Sequence, residues 1–167
     1  MDTRAKFLYY PTKYVLLTST SWEHRDSYPT PKANLLAYQK LLKNIPPDGL
    51  LVYNPQDPNL PKIIKFCQAP AFPYDSSLSF TTSLIGNFNR QNVTAAYTLC
   101  RHLGVNDQII RSSIASFRGL SRRLEIIKKT KNNITFIDDF AQSAPRVKQA
   151  ILAVHQTYPP HPIKVFF

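Results

Sequence analysis

Apolar residues come in two rhythms along the chain, and the switches between them mark out its elements. Residues 14–18, YVLLT, form an unbroken β-branched and aromatic run with no helical period, which predicts a buried strand. Thr30 and Pro31 then supply a helix start, threonine as N-cap and proline in the first turn. Ala33, Leu35, Leu36, Tyr38, Leu41 and Leu42 recur at helical spacing, predicting an amphipathic helix that ends before Pro46. Asp48-Gly49 reads as a turn and residues 50–53, LLVY, as a second buried strand. Residues 60–67 are expected to form a short helix, 71–74 a short strand, and 75–82 a loop or hairpin remnant.

The second half opens on residues 84–100, LIGNFNRQNVTAAYTLC, a stretch that turns on Gly86 and runs into an apolar helix. Asn89 and Asn92 are three apart and so share a face of the first turns. A carboxamide offers a donor and an acceptor, which suits the edge of an adenine. The simpler alternative makes Asn89 an N-cap and Asn92 a solvated residue. Gly104 ends that helix and Asn106 caps the next, whose apolar face is read as Ile109, Ile110, Ile114 and Phe117. Asn132-Asn133 marks a turn and 134–137 a strand that ends in Asp138-Asp139. Residues 147–155 are a helix, and 163–167 a last strand.

Composition narrows the class. A chain of 167 residues with 43% hydrophobic content and no low-complexity segment suits one globular domain, or one and part of another. Twenty-one basic against ten acidic side chains give a formal charge of +11, which favours an anionic partner: a nucleotide, a nucleic acid or an acidic metabolite. The charges are scattered along the sequence and do not define one helix. Cys67 and Cys100 make no disulfide framework; both read as buried free thiols, as expected of a cytoplasmic protein. No stretch reaches the roughly 20 apolar residues of a membrane helix, and 1–6 lacks the apolar region of a secretory signal.

Three groups of residues carry candidate chemistry. Ser19 to Tyr28, STSWEHRDSY, follows the first strand, where open α/β sheets place ligands. Glu23, His24 and Asp26 there could help to hold a divalent cation, or form a plain solvated loop. Arg122 and Arg123 are adjacent and so point differently; an arginine near a nucleotide can grip phosphate through its planar fork. Asp138 and Asp139 close a strand ahead of a helix, which is either a ligand position or a cap.

Four ordered segments resemble the Mur ligase family, the ATP-dependent enzymes that build cell-wall peptide precursors. Gly86, Asn89, Asn92, Ala95 and Ala96 match G-x-H-N-x-x-N-x-x-A-A, with Phe88 in place of histidine. The start of the chain, DTRAKFLYYP followed by VLLT and WEHRD, is similar to the stretch leading into D-H-x-D, with Glu23 replacing aspartate. Residues 116–127, SFRGLSRRLEII, resemble the F-x-G-x-x-x-R-x-E linker, with Arg123 at the motif position. Asp138-Asp139 resembles D-D-[YF]-[AG]-H-H-P, with Gln142 and Ser143 at the histidines and Pro145 one position late. PPDGLLVYNPQDP, around Asp48, is also similar to a family segment that is mostly fold punctuation. The likeness is greatest to the murein peptide ligase and UDP-N-acetylmuramate–L-alanine ligase branch.

The resemblance implies an α/β fold: the latter part of an ATP-binding central domain, mostly parallel sheet with helices, over 1–121, then the start of a Rossmann-like C-terminal domain over 122–167. It implies ATP and Mg2+ as cofactors, and a nucleotide-linked muramyl substrate with an amino acid or peptide as partners. His24, with Glu23, would face a magnesium ion; Asn89, Asn92 and Asp139 would face the nucleotide, and Arg123 its phosphates. The family's carbamylated lysine has no assigned position here, Lys40 and Lys43 being equally placed. No G-x-x-G-K-[ST] phosphate loop occurs in these 167 residues. The expected state is therefore a fragment or half of a split ligase, inactive alone, with a missing upstream half as partner. The alternatives are a non-catalytic Mur-like module that binds nucleotide or nucleic acid and, more weakly, a folate-type polyglutamate ligase.

Overall fold

The computed structural model describes residues 5–166, which form two compact units: residues 5–75 with Thr94–Gly104, and Ser76–Val93 with residues 105–166. The first unit is built on a three-stranded parallel sheet in the order β1-β2-β3, with β1 at Tyr14–Leu17, β2 at Leu50–Tyr53 and β3 at Ala71–Pro73. Tyr14 pairs with Leu50 and Leu17 with Tyr53; Leu51 pairs with Ala71. Parallel neighbours need a crossover between them. Helix α1, Pro31–Asn44, makes the first, and the four-residue helix α2, Leu60–Ile63, lies in the second. The Thr30 hydroxyl accepts the Ala33 N–H and Pro31 stands in the first turn, so α1 starts where its sequence says.

Successive strand residues point to opposite faces, and this sheet has a core on each. Val15, Leu17 and Leu51 pack with Leu41, Leu42 and Ile45, and with Leu60 and Ile63. Leu50 and Val52 turn the other way, onto Tyr74 and onto Ala95 of helix α3, Asn87–His102. β2, covered on both sides, tolerates no polar residue, hence its LLVY sequence. Residues 87–93 of α3 belong to the second unit and 94–102 to the first.

In the second unit, Asn106 caps helix α4, Asp107–Ser116, by accepting the Gln108 N–H, and Asp107 pairs with Arg111 one turn on. Strands β4, Glu125–Lys129, and β5, Thr135–Asp138, form an antiparallel hairpin with an irregularity between Ile126 and Lys128. Helix α5 spans Ala144–Thr157 with proline in its first turn. Gly86 has φ of 90°, and a Cβ there would lie 2.5 Å from the Ala153 Cβ of α5. Only glycine allows both that conformation and that approach.

Three expectations change. The apolar face of α4 is buried only at Ile110: Ile109 lies about 100° further round the helix, and Phe117 is the extended C-cap residue, off the helical face. The strand expected to end in Asp138-Asp139 is β5, but it stands outside the parallel sheet, paired antiparallel with β4. Residues 163–166 have no strand assignment, because β5 pairs with β4 and no ladder reaches them; Phe167 lies outside the described residues.

Candidate functional site

The first cluster stands at the C-terminal ends of β1 and β2. Asp57, 8% exposed, accepts hydrogen bonds from the Thr20 N–H at 2.6 Å, the Thr20 hydroxyl at 2.7 Å and the Asn59 N–H at 2.9 Å. The Asn34 carboxamide, delivered by α1, donates to the Thr20 carbonyl at 2.9 Å. A buried carboxylate is tolerated when its oxygens are satisfied in this way. The network anchors the start of the loop that carries Glu23 and His24. Sequence reading took the NPQDP segment around Asp57 as punctuation; an aspartate between two prolines gives no local sign of burial.

His24 itself is exposed, with φ of 54°, and its carbonyl accepts the N–H groups of Ser27 and Tyr28, both at 2.9 Å. The Trp22 indole donates to the Tyr28 carbonyl at 2.7 Å and the Arg25 guanidinium lies over the Trp22 ring. Glu23 is half-buried and Asp26 exposed. Burial, then Tyr28 and the Glu23 and Asp57 carboxylates, push the phenol of Tyr38 on α1 above its ordinary range. Among the described residues no three His, Cys, Asp or Glu side chains gather as a metal cage. Glu23 and His24 could provide two ligands at most. That suits magnesium, which keeps waters and takes substrate oxygens.

The second cluster lies at the base of the β4–β5 hairpin. Arg122 and Leu124 both have left-handed backbones, with φ of 56° and 49°. Five contacts hold them. The Arg122 N–H donates to the Glu125 carboxylate at 2.7 Å, the Phe140 N–H to the Arg122 carbonyl at 2.9 Å, and the Leu124 N–H to Asp139 Oδ2 at 2.9 Å. The Arg122 guanidinium meets Asp138 at 3.3 Å and lies over the Phe140 ring. Arg123, between the two, is exposed and its side chain makes no such contact among the described residues. Hydrogen bonds from the Arg122 N–H and then the Ser121 hydroxyl lower the Glu125 carboxyl below its ordinary value.

Asn89 and Asn92 lie in the same unit. Asn89 is not the N-cap: it sits inside the first turn of α3 and its amide donates to the Ile85 carbonyl at 2.8 Å, leaving Oδ1 open. Asn92 is exposed one turn on, with no side-chain partner among the described residues. The hairpin base thus unites Arg123 with Asp139 through Leu124. No contact ties either asparagine to that pair. Gln142 is exposed, and the Ser143 hydroxyl is buried with no hydrogen-bond partner. Two surface depressions, one along α5 by Val147 and Ile151, the other by Tyr28 and Lys40, include none of the predicted site residues.

No protein-family model matches the chain. Individual proteins do. A UDP-N-acetylmuramate–L-alanine ligase of Roseiflexus castenholzii is 23% identical over 96% of this chain and 43% of its own length. The enzyme of that name from Phocaeicola vulgatus is 28% identical over 86% of the chain and 36% of its own. Over most of its length the chain is similar to Mur ligases. It spans about two-fifths of the length of these relatives. A solved Mur ligase, the MurF ligase of Thermotoga maritima in complex with ADP, shares the fold: the TM-score is 0.67 at 14% identity, over 86% of this chain and 39% of that one. Parallel sheet plus helices is the architecture in common. No helix of the described residues is long and apolar enough to cross a membrane.

Proposed function

We propose that this chain supplies part of the nucleotide site of a cytoplasmic, ATP-dependent carboxylate–amine ligase of peptidoglycan precursor synthesis or recycling. The observation that carries the reading is the hairpin base, where Arg123 stands uncommitted on a loop fixed by Asp139. In this reading the carboxylate of a nucleotide-linked muramyl substrate attacks the terminal phosphorus of ATP, giving an acyl phosphate and ADP. The amine of an amino acid or peptide then attacks the acyl carbon, expelling phosphate and losing a proton as the amide forms. Arg123 would face the phosphates, where a guanidinium stabilises developing charge. Asn89 through Oδ1 and Asn92 through a whole carboxamide would face the base, and Asp139 the nucleotide. Glu23 and His24 would hold Mg2+ together with water and phosphate oxygens. That ion would neutralise phosphate charge.

The proposed domain division places 1–121 in the central ATP-binding domain and 122–167 at the start of the C-terminal one. We expect the chain by itself neither to hydrolyse ATP nor to form an amide, since backbone amides and the lysine of a phosphate loop are needed to hold the phosphates. Magnesium-dependent phosphate release by the purified chain, in the presence of substrates, would overturn that. Supplying an upstream polypeptide that carries the phosphate loop should restore turnover, and no turnover with any such partner would count against the ligase. A second reading, a non-catalytic Mur-like module that binds nucleotide or nucleic acid, is favoured by Gln142 and Ser143 where histidines are expected and by the +11 charge. It predicts ATP binding that no upstream partner converts into turnover.

A further inference from the structure

The positive charge of the chain has a local concentration in the first unit. Residues 27–47 and 58–74 hold no aspartate or glutamate, yet carry Lys32, Lys40, Lys43, Lys62 and Lys65. At 3.6 residues per turn, Lys32, Lys40 and Lys43 fall within about 80° of one another around α1. Apolar packing of Leu41, Leu42 and Ile45 with Leu60 and Ile63 brings the single turn Ile64–Phe66 to the end of α1. There Lys43 Nζ lies 5.0 Å and Lys65 Nζ 5.5 Å from the centre of the Phe66 ring. One half-buried ring thus holds the ammonium groups of two exposed lysines. Among the described residues no carboxylate pairs with Lys40, Lys43 or Lys65. Like charges held together repel, and an anion set between them offsets that repulsion.

One turn before Lys43, Lys40 stands in the depression lined also by Tyr9, Tyr28, Ala33, Leu36 and Ala37. Tyr9 is 51% exposed. Phenol rings beside a cation suit a flat aromatic base that carries a phosphate. The apolar surface here is a hollow, whereas a membrane-binding helix presents its apolar residues outward for burial in lipid. We propose that this surface of the first unit binds single-stranded nucleic acid, with one base in the depression against Tyr9 and the neighbouring phosphates on Lys40, Lys43 and Lys65. Lysine is a point charge without a fixed fork, which fits a backbone that repeats whatever its sequence. The surface uses none of the residues assigned to ATP.

Fluorescence anisotropy of a labelled oligo(dT) with the full chain tests this as salt is raised from about 50 to about 200 mM. Three phosphate contacts predict an affinity that falls about twentyfold over that range, a slope of about −2. Lys43→Gln and Lys65→Gln should each make the slope shallower by about 0.7. Lys13→Gln should leave it unchanged, because Lys13 is already paired with Asp48. Tyr9→Ala should weaken binding about fivefold or more, the loss of one stacked base, while Tyr9→Phe should bind as the wild type does. No binding at the lower salt would overturn the proposal. Equal losses in Lys13→Gln and Lys43→Gln would overturn it too, since net charge alone would then account for binding. Wild-type affinity in Tyr9→Ala would take the base out of the depression and the proposal with it. Phosphatidylserine vesicles or poly-L-glutamate that bind as tightly as oligo(dT) would make the partner a lipid surface or an acidic protein instead.

Discussion

Gly86 and Ala153 meet at van der Waals limits: a Cβ added at 86 would stand 2.5 Å from the Ala153 methyl. The first turn of α3, which bears Asn89, is therefore seated against α5 with no space for a side chain. Gly86→Ala should destabilise the protein by roughly 1–3 kcal/mol through overpacking and by about 1 kcal/mol more through its positive φ. Urea unfolding of Gly86→Ala, and of the same change combined with Ala153→Gly, checks this. The second substitution should recover the packing part only. Full recovery would show that backbone strain is negligible at this turn.

Asp57 gives a sharper contrast. Its two oxygens accept three hydrogen bonds from two buried or half-buried residues. Asp57→Asn nearly preserves shape but turns an NH2 group toward an N–H or hydroxyl donor whichever way the amide is set. Both Asp57→Asn and Asp57→Ala should cost about 2–4 kcal/mol, each leaving buried donors unsatisfied. Thermal unfolding measures the loss. An asparagine variant of wild-type stability would mean that water, not the carboxylate, satisfies Thr20.

Arg122 and Arg123 should separate stability from ligand binding. Arg122→Ala removes an ion pair and a ring contact that are both well exposed, so the cost should stay under about 1 kcal/mol. Arg123→Ala should leave stability within about 0.5 kcal/mol. In a complete ligase the order reverses: ATP use should drop about tenfold or more with Arg123→Ala and change little with Arg122→Ala. Steady-state ATP kinetics showing the larger loss at Arg122 would mean that the phosphate contact is one residue earlier.

Glu125 predicts a pH dependence. The Arg122 N–H, then the Ser121 hydroxyl, lower its folded pKa below the ordinary 4.5. Its stabilising contribution is therefore full above that value and disappears as pH falls through the lower, folded value. Glu125→Gln should flatten the acid limb of the stability curve below about pH 5, seen in unfolding midpoints followed downward in pH. An unchanged limb would assign the acid sensitivity to other carboxylates.

Local signals in the sequence were legible where one residue type does one job. Thr30-Pro31 starts α1, LLVY is the fully covered β2, Asn106 caps α4, and Asn132-Asn133 turns the hairpin, Asn133 having φ of 59°. What stayed hidden depends on partners distant in sequence. No element was read over EIIKK, and it is its register with Thr135–Asp138 that makes it β4. Asp57 becomes a structural anchor because Thr20, thirty-seven residues away, brings two donors to it. Asn89 looked like a cap or an adenine reader, but the turn at Gly86 brings the Ile85 carbonyl to its amide. The two left-handed residues around Arg123 have no sequence signature, since neither is glycine or asparagine.

The β4–β5 hairpin has one more consequence. Every β4 residue is exposed, with Ile127 at 65%, and Phe136 beside it on β5 is at 50%. Apolar strands that face water invite a second copy to stack on them. Lys128, Lys129 and Lys131 stand among these residues, and like charge on every copy opposes such stacking. That protection is electrostatic and reaches only about 10 Å at 0.1 M salt and about 3 Å at 1 M. Concentrated solutions should therefore remain clear in dilute buffer and grow turbid as salt is added.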